Sequence, residues 1–481
     1  MTACGTSGVA AGEDRVLRLL LDARRTYRHG PAAIAARQRA RLAELVDFAR
    51  AHARVYGELY QGLPDRVEDP RLLPVTGKAA LMARFDDWVA DPHVTAERMQ
   101  AFVADPALIG RPFPGAPPGA RAGSGAGYTV ATTSGTTGTR GMFLLDERAL
   151  AVATALSARM LGSWLTASAL PRLIAGRGRL AMVTATGGHF ASTAAAARLR
   201  RSRRGWRRVR ALSVHTPLPE LVAQLNAFGP AVLAPYATTA ALLAAEQQAG
   251  RLRIRPALVA LAAEGLPDRE IARIAAAFGA AVGNSYAATE CPFLSYSCRH
   301  GWLHVNADWA IVEPVDADHR PTPPGRQSHT VLVTNLANRV QPILRYDLGD
   351  SVLARPDPCD CGSPLPAIRV QGRTADLLTL PTTHGTTVTL TPLTLSTRLD
   401  RLPSVALFQI LQISPAELSV RIQPAPGATP QQAWAHVHRE LTDLLAAHGL
   451  AQVIVRRAEQ VPQPATGGKY RLVQPLADTP G

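Results

Sequence analysis

The chain has 481 residues, which is too long for one compact core and predicts two or three domains. Hydrophobic residues make up 47% of it, an ordinary globular composition, and the apolar runs fall short of the roughly 20 residues that a membrane span requires. The net charge is +15 with arginine dominant, which suits anionic ligands such as nucleotides, CoA or nucleic acid, although a GC-rich genome produces the same arginine usage.

The N-terminal region is predicted to be helical. Residues 1–14 lack the basic-then-apolar order of a signal peptide, so we expect a cytoplasmic protein with no membrane partner. Its five cysteines then argue against a disulfide framework. Residues 15–60 carry leucines at helical spacing among arginines, and residues 105–127 form a Pro/Gly-rich connector.

A glycine-rich stretch, Thr133–Gly141, follows this connector. It holds three glycines and five hydroxyl side chains between an apolar run, Tyr128–Ala131, and a helix-prone one at residues 147–161. This composition suits a strand-to-helix turn that wraps an anion, because glycine lets backbone amides point inward and hydroxyls add donors. It is not a P-loop, because no Lys-Ser or Lys-Thr follows the last glycine. A flexible polar turn is the alternative.

From residue 180, short apolar runs alternate with helical patterns, as in a three-layer α/β domain with mostly parallel strands. The predicted strands are Leu180–Val183, Leu212–Val214, Val232–Pro235, Leu258–Ala262 and Ala281–Ser285. One predicted helix begins near His189. The other predicted helices cover Leu218–Phe228, Thr238–Ala249 and Pro267–Phe278.

After Glu290 the pattern favours β structure, and near residue 374 it changes again. The predicted strands of the first part are Trp302–Val305, Ala310–Val315, Val331–Thr334 and Ser351–Ala354. The second part combines the strands Thr387–Leu390, Leu407–Ile413, Leu418–Ile422 and Gln452–Val455 with a helix over Gln431–His448. We therefore predict a large α/β domain with a β-rich segment over residues 1–373 and a small α+β domain over residues 374–481.

Four further motifs follow the glycine-rich stretch in a fixed order. They are Asn284–Glu290, Arg345–Asp350, Gly372–Asp376 and Gly467–Arg471. Each is weak alone, but together they resemble the adenylate-forming superfamily of acyl-CoA ligases, peptide-synthetase adenylation domains and luciferases. The likeness is greatest to phenylacetate-CoA ligase and its relatives, covers nearly the whole chain, and extends to Leu73–Lys78, Leu221–Leu242 and Thr334–Leu336. It implies an adenylation domain that binds ATP and an acid, followed by a mobile lid domain.

The resemblance implies an ATP site. Its residues would be Thr133, Ser134, Gly135, Thr136, Thr137, Gly138 and Arg140 for the β- and γ-phosphates, with Asn284, Ser285, Tyr286, Asp350 and Arg373 for the nucleoside. In that family pattern Tyr286 stacks on adenine, Asp350 accepts hydrogen bonds from the ribose hydroxyls, and Arg373 supports the nucleotide at the hinge.

The resemblance also implies the catalytic residues. Thr289 would contact the α-phosphate, and Glu290 would hold Mg²⁺, a hard cation that prefers carboxylate oxygens. Lys469, on the lid, would neutralise charge on the substrate carboxylate and α-phosphate as they meet.

The chain departs from the family pattern at three places. The glycine-rich stretch has Thr139 and Arg140 where Lys-Pro is common, and Ala287 replaces a glycine. Ala375 stands where an acidic residue is common, which puts the hinge, and so the second half-reaction, in question. The first half-reaction keeps all its charged groups.

Cysteine and histidine spacing suggests a metal site. Cys298, His304, Cys359 and Cys361 are a Cys₃His set, which fits closed tetrahedral zinc, with buried free thiols as the alternative. The resemblance favours zinc, because related proteins carry a metal at similar positions. Cys291 is the reserve ligand, and Cys4 is not expected to contribute.

The acid pocket is less defined. His189 opens a helix after a strand and is either a helix-start residue or, as the resemblance favours, a pocket residue. Tyr236, Glu264 and Gly265 follow strands on the same edge and are further candidates. The aromatic content of 5% does not define an aryl-acid pocket.

The resemblance implies Mg-ATP-dependent adenylation of a carboxylic acid, aryl or arylacetic, with pyrophosphate release and transfer to CoA. Transfer to an amine or a carrier protein, or attachment of AMP to a cofactor, are alternatives, because all these reactions share the first half-reaction. A basic nucleic-acid-binding protein on an inactive scaffold is a rival, based on Arg198–Arg210 around Trp206. The presence together of Glu290, Asp350, Arg373 and Lys469 argues against it. The sequence leaves open the acid, the acceptor and whether a homodimer forms.

Overall fold

The computed structural model describes residues 6–115, 127–133, 141–186, 188–201, 208–262, 265–266, 268–373, 376–390, 392–399, 402–463 and 471–476. Its helices fill the N-terminal region and then alternate with strands. They are Thr6–Arg28, Gly30–His52, Arg54–Leu59, Lys78–Ala83, Phe85–Trp88, Ala96–Ala104, Glu147–Trp164, Leu170–Ala175, Ala191–Arg201, Leu218–Phe228, Ala237–Gln248, Asp268–Phe278, Pro392–Leu399 and Pro430–Ala447. No helix in these ranges is long and apolar enough to cross a membrane.

The strands form five sheets. They are β1 (Pro112–Pro114), β2 (Gly127–Thr132), β3 (Met142–Leu145), β4 (Leu180–Thr184), β5 (Val209–Ser213), β6 (Val232–Pro235), β7 (Leu258–Ala262), β8 (Ala281–Tyr286), β9 (Ser295–Ser297), β10 (Leu303–Val305), β11 (Ala310–Val315), β12 (Thr330–Asn335), β13 (Ile343–Asp347), β14 (Asp350–Ala354), β15 (Ala367–Arg373), β16 (Leu378–Pro381), β17 (Thr387–Leu390), β18 (Val405–Ser414), β19 (Glu417–Pro424), β20 (Ile454–Arg457) and β21 (Val473–Gln474).

The largest sheet has nine strands in the order β14-β15-β10-β9-β8-β7-β6-β4-β5. From β8 to β5 neighbouring strands are parallel, and from β8 to β14 they are antiparallel. The parallel half alternates with helices in sequence, which confirms the α/β prediction. The antiparallel half holds two strands of the predicted β-rich segment, β10 and β14, whereas β11 and β12 pair with β13 in a separate sheet. Strand β8 is where the two halves of the large sheet meet.

The composition of the glycine-rich stretch predicted a turn from a strand to a helix, and this prediction is wrong. The strands on either side of the stretch, β2 and β3, pair antiparallel with Thr132 opposite Met142, so it connects the two strands of a hairpin. All four residues of β3 are buried, and the helix begins only at Glu147, where the side chain of Asp146 accepts a hydrogen bond from the backbone of Ala149.

Residues after the proposed boundary have a hydrophobic core of their own. It is formed by residues from Leu378 to Val473, with the helix Pro430–Ala447 packed on the sheet β20-β19-β18-β21. That helix starts with a capping box between Thr429 and Gln432. The predicted strands and helix of this region all form, with shifts of one to two residues at their ends.

Candidate active site

A large pocket lies at the carboxyl ends of the parallel strands, the edge at which α/β sheets bind ligands. Strands β4, β6, β7 and β8 each contribute residues to it, and β14 borders it on the antiparallel side. Many of the residues predicted for the site line this pocket. They are Thr133, Tyr236, Gly265, Asn284, Ser285, Tyr286, Thr289, Glu290 and Asp350.

Two of the five predicted nucleoside ligands, Tyr286 and Asp350, are in direct contact. The hydroxyl of Tyr286, at the end of β8, donates a 2.6 Å hydrogen bond to Oδ2 of Asp350, the first residue of β14. Asp350 is 9% exposed and pairs across the ladder with Arg373, the last residue of β15. The sheet therefore brings three separate motifs to one end of the pocket.

Glu290 is a buried acid with few partners. It is 8% exposed, and its Oε1 accepts a 3.2 Å hydrogen bond from the hydroxyl of Tyr346 on β13. Its carbonyl accepts a 2.9 Å bond from Asn335. Burial raises the pKa of Glu290, and the charge of Lys78 opposes this rise. A bound cation would stabilise the charged form of this carboxylate.

Contacts with Ser297 on β9 and with Trp164 hold strand β8 in place. The backbone N–H of Asn284 donates a 2.9 Å hydrogen bond to Oγ of Ser297 on β9. The indole of Trp164 covers Gly283, where any side chain would collide with the ring, and donates a 2.8 Å bond to the carbonyl of Ser297. Oδ1 of Asn284 is buried and has no hydrogen-bond partner in the described part of the chain, so it is an acceptor available to a ligand.

The other end of the pocket, near β4 and β6, is lined by apolar side chains that include Met182 and Leu242. Phe190 and Tyr236 line it, and the Tyr236 hydroxyl accepts a 3.1 Å hydrogen bond from the backbone of Ala185. His189 is 2% exposed, its ring centroid lies 5.3 Å from that of Phe102, and its carbonyl accepts a 2.6 Å bond from Thr132. Its role as a pocket residue stays a prediction.

Several predicted residues lie outside the described part of the chain. They are Ser134, Gly135, Thr136, Thr137, Gly138, Thr139 and Arg140 of the glycine-rich stretch, Glu264, Ala375, and Lys469 with its neighbouring glycines. The basic run around Trp206 lies partly outside it as well.

The four predicted metal ligands come together on the antiparallel side of the sheet. One ligand atom each from Cys298, His304, Cys359 and Cys361 lies within 4.8 Å of all the others. Sγ of Cys361 is 3.1 Å from Nε2 of His304, whose Nδ1 lies 3.0 Å from the carbonyl of Leu365. Burial lowers the pKa of His304, which favours the neutral ring that a metal requires.

The reserve ligand is not part of this cluster. Cys291 is 3% exposed and packs in the hydrophobic core, where burial raises the pKa of its thiol. Desolvation of this kind disfavours the thiolate that metals bind. Cys4 lies outside the described residues.

Two further residues of the site, Tyr346 and Lys78, lie within Arg345–Asp350 and Leu73–Lys78, but neither motif indicated a role for them. Tyr346 is the hydrogen-bond donor to Glu290, and burial raises the pKa of Tyr346, so that its hydroxyl keeps its proton. Lys78 lines the pocket near Glu290. Their spacing in sequence, more than 200 residues apart, gave no indication that they share one site.

No family model matches the chain, and no curated protein does. Solved structures of 2-hydroxyisobutyryl-CoA ligase are similar to it. The postadenylation state with 2-HIB-AMP has a TM-score of 0.62 at 19% identity and covers 93% of this chain and 89% of that one. The open conformation with 2-HIB-AMP and CoA has a TM-score of 0.55 at 19% identity, with coverage of 93% and 91%. The thioesterification state has a TM-score of 0.50 at 20% identity, with coverage of 92% and 89%.

The match extends over nearly the full length of both chains, so it includes the parallel strands, the antiparallel segment and the C-terminal core. The chain has the fold of 2-hydroxyisobutyryl-CoA ligase.

Proposed function

We propose that this protein activates a carboxylic acid with Mg-ATP, releases pyrophosphate, and passes the acyl group of the acyl-adenylate to CoA. The observation that carries the proposal is the meeting of Tyr286, Glu290 and Asp350 in one pocket at the carboxyl edge of the sheet. These residues come from motifs separated by dozens of positions, and each has the chemistry that its predicted role needs. A fold shared with an acyl-CoA ligase supports the same conclusion.

The site suits Mg²⁺ on chemical grounds. Glu290 is buried, and its side chain accepts a hydrogen bond from the neutral hydroxyl of Tyr346. Among the described residues, its carboxylate forms no ion pair with a basic side chain. Carboxylate oxygen is the donor that Mg²⁺ prefers, and the ion would draw charge from the phosphates as the acid attacks. Glu290 would bind the ion, and Tyr346 would orient the carboxylate.

The nucleoside would be held between β8 and β14. Tyr286 would stack on the adenine while its hydroxyl orients Asp350 toward the ribose. Thr289 would contact the α-phosphate, and the residues that follow Thr133 would enclose the terminal phosphates. Arg373, at the end of β15, would support the nucleotide from the ladder position opposite Asp350.

The acid would bind at the apolar end, beside Phe190 and Tyr236, which supports an aryl or arylacetic substrate. CoA is proposed as the acceptor because a structural relative binds it. An amine or a carrier protein would use the same acyl-adenylate, so the acceptor is the part of the proposal that most needs measurement.

Residues 374–481 would act as a lid that brings Lys469 to the reacting groups. Two observations support this. Residues from Leu378 to Val473 have a separate core, and Arg471, two residues after Lys469, forms an ion pair with Asp376 beside the proposed hinge. A lid with its own core can rotate without unfolding.

The Cys₃His cluster would hold a structural zinc ion. Three thiols and an imidazole whose Nδ1 faces a carbonyl match the donor set and the orientation of a closed site. The ion would cross-link β10 to the segment before β15, and so stabilise the antiparallel half of the sheet next to Asp350.

The test is pyrophosphate release from Mg-ATP with a panel of aryl, arylacetic, fatty and amino acids, each with and without CoA. Acid-dependent release that becomes catalytic with CoA is expected. Acid-dependent release that CoA leaves unchanged would replace CoA by an amine or carrier acceptor. If no acid of the panel supports release, the adenylation proposal fails for these substrates, and steeply salt-dependent RNA binding would then favour the nucleic-acid-binding alternative.

A further inference from the structure

The chain uses arginine for nearly all of its positive side chains. Of its 52 Lys and Arg residues only two are lysines, Lys78 and Lys469. Lysine carries a compact ammonium with three freely rotating donors, whereas arginine carries a broad planar group. Lys78 and Lys469 therefore differ from the other basic side chains in the shape of the charged group that they offer.

One of the two lysines lies in the candidate nucleotide pocket. Lys78 lines it together with Tyr286, Glu290 and Asp350. Its side chain is half-buried and makes no hydrogen bond or ion pair with the part of the chain that the structure describes. Its charge nevertheless reaches Glu290. An ammonium group in this position is available to an anionic ligand.

Hydrogen bonds to β13 hold the segment that carries Lys78. Thr76 accepts a 2.9 Å bond from the backbone of Asp347 and donates a 3.0 Å bond to the carbonyl of Arg345. Its hydroxyl donates a 2.9 Å bond to the carbonyl of Leu344, and the Arg345 side chain donates a 2.8 Å bond to Leu73. These bonds lie on both sides of Tyr346, the donor to Glu290, so Lys78 and Glu290 are positioned by the same strand.

We propose that Lys78 is a phosphate-binding residue that contacts the β- and γ-phosphates of ATP and then the pyrophosphate leaving group. The inference rests on the proposed function, and it names a cation that the motifs did not assign. ATP carries most of its charge on the terminal phosphates, and those phosphates must lie beside the metal that Glu290 is proposed to hold. An ammonium group on that side of the pocket stabilises the charge that builds up on the leaving group as the P–O bond to the α-phosphate breaks.

Binding measurements separate this role from a structural one. Calorimetric titration of Lys78→Ala with ATP, pyrophosphate and AMP should show about tenfold weaker binding of ATP and of pyrophosphate. Binding of AMP should be unchanged, because AMP lacks both phosphates. Lys78→Arg should restore ATP binding only in part. The control is Arg84→Ala, six residues after Lys78, which removes surface ion pairs with Glu58 and Asp87. It should change none of the three affinities. Equal losses for ATP and AMP, or no loss, would overturn the proposal.

The unmodified protein offers a second measurement. Its two lysines are its sole side-chain amines, so an amine-acylating reagent followed by peptide mass spectrometry reports each one separately. ATP and pyrophosphate should slow the labelling of Lys78 several-fold, and AMP should not. A wild-type protein that binds pyrophosphate at Lys78 but releases none from ATP with any acid would retain this inference and refute the proposed function. Labelling of Lys78 that ATP and pyrophosphate leave unchanged would refute the inference alone.

Discussion

The hydroxyl of Tyr286 donates a 2.6 Å hydrogen bond to the carboxylate of Asp350 across 64 residues of sequence. The contact joins the last parallel strand of the central sheet to its antiparallel edge. Because Asp350 is 9% exposed, a donor that orients it also limits the cost of keeping it charged. The ring and the acid proposed to hold the nucleoside are thus coupled before any ligand binds.

Removal of that hydroxyl should weaken nucleotide binding selectively. Tyr286→Phe keeps the ring for stacking and removes the hydrogen bond that orients Asp350, so we expect the KM for ATP to rise about tenfold, with a smaller change in kcat. Pyrophosphate release measured against ATP at saturating acid gives both constants. Tyr236→Phe is the matched comparison, because its hydroxyl lies at the acid end, and it should raise the KM for the acid instead. The same response from both variants would contradict the assignment of the two ends.

Glu290→Gln should separate stability from activity. The substitution removes a buried charge and keeps an oxygen for the hydrogen bond from Tyr346, so the free energy of unfolding should not decrease. Adenylation should fall by about two orders of magnitude or more, because the metal ligand is lost. Thermal unfolding and pyrophosphate release across a magnesium titration measure the two effects. Near-normal release would remove Glu290 from the metal site.

The cysteine cluster predicts a metal content. Purified protein should contain about one zinc ion per chain, and Cys359→Ser combined with Cys361→Ser should lose it and melt at a lower temperature. Cys291→Ser, a buried cysteine outside the cluster, should keep the zinc. Metal analysis by mass spectrometry reads both variants. If the wild-type protein contains no zinc and melts at the same temperature as the double variant, the four residues are free thiols and an ordinary core histidine.

Gln409, a buried glutamine, should support the step of adenylation that depends on Lys469. Gln409 is fully buried on β18, and its amide donates to the carbonyls of Gln463 (3.2 Å) and Arg471 (2.9 Å), the residues on either side of 464–470. Gln409→Ala should therefore slow adenylation about tenfold in the wild-type chain and have no further effect in Lys469→Ala, which itself should lose a few orders of magnitude while ATP binding persists.

The control for this double-mutant comparison of Gln409 and Lys469 is Gln412→Ala, on the same strand as Gln409. Gln412 bonds to Thr379, Pro415 and Leu476 and makes none of the contacts at Gln463 or Arg471. Its loss should leave the rate of pyrophosphate release within about twofold of wild type. Losses that add in the double variant Gln409→Ala/Lys469→Ala would show that Gln409 acts through general stability.

The alternation of strands and helices was predictable from sequence because each parallel strand is an apolar run bounded by turn residues, from Leu180 to Tyr286. The hairpin of β2 and β3 was not predicted. Met142–Leu145 is a four-residue apolar run ahead of a helix, and such a run fits the end of a strand or the start of a helix equally well. Its pairing with β2 decides between them, and pairing is a long-range property.

The site was predicted in its members more than in its contacts. The Cys₃His set and the nucleotide residues came from motif order and resemblance. The structure clusters the four Cys and His side chains, and residues 284–290 and Asp350 line one pocket. The contact of Tyr346 with Glu290 and the position of Lys78 depend on how β13 packs against the segment that contains Thr76. Side-chain spacing along the chain carries no information about that packing.

The indole of Trp164 has a consequence for evolution at the neighbouring strand. It stacks on Gly283 of β8 and donates to the carbonyl of Ser297 of β9, the residue before Cys298 of the Cys₃His cluster. A single ring is thereby wedged between the strand that ends at the proposed adenine platform and the hairpin that leads to the cysteine cluster. Position 283 can accept another residue only together with a smaller one at 164, so a substitution at 283 should follow or accompany one at 164.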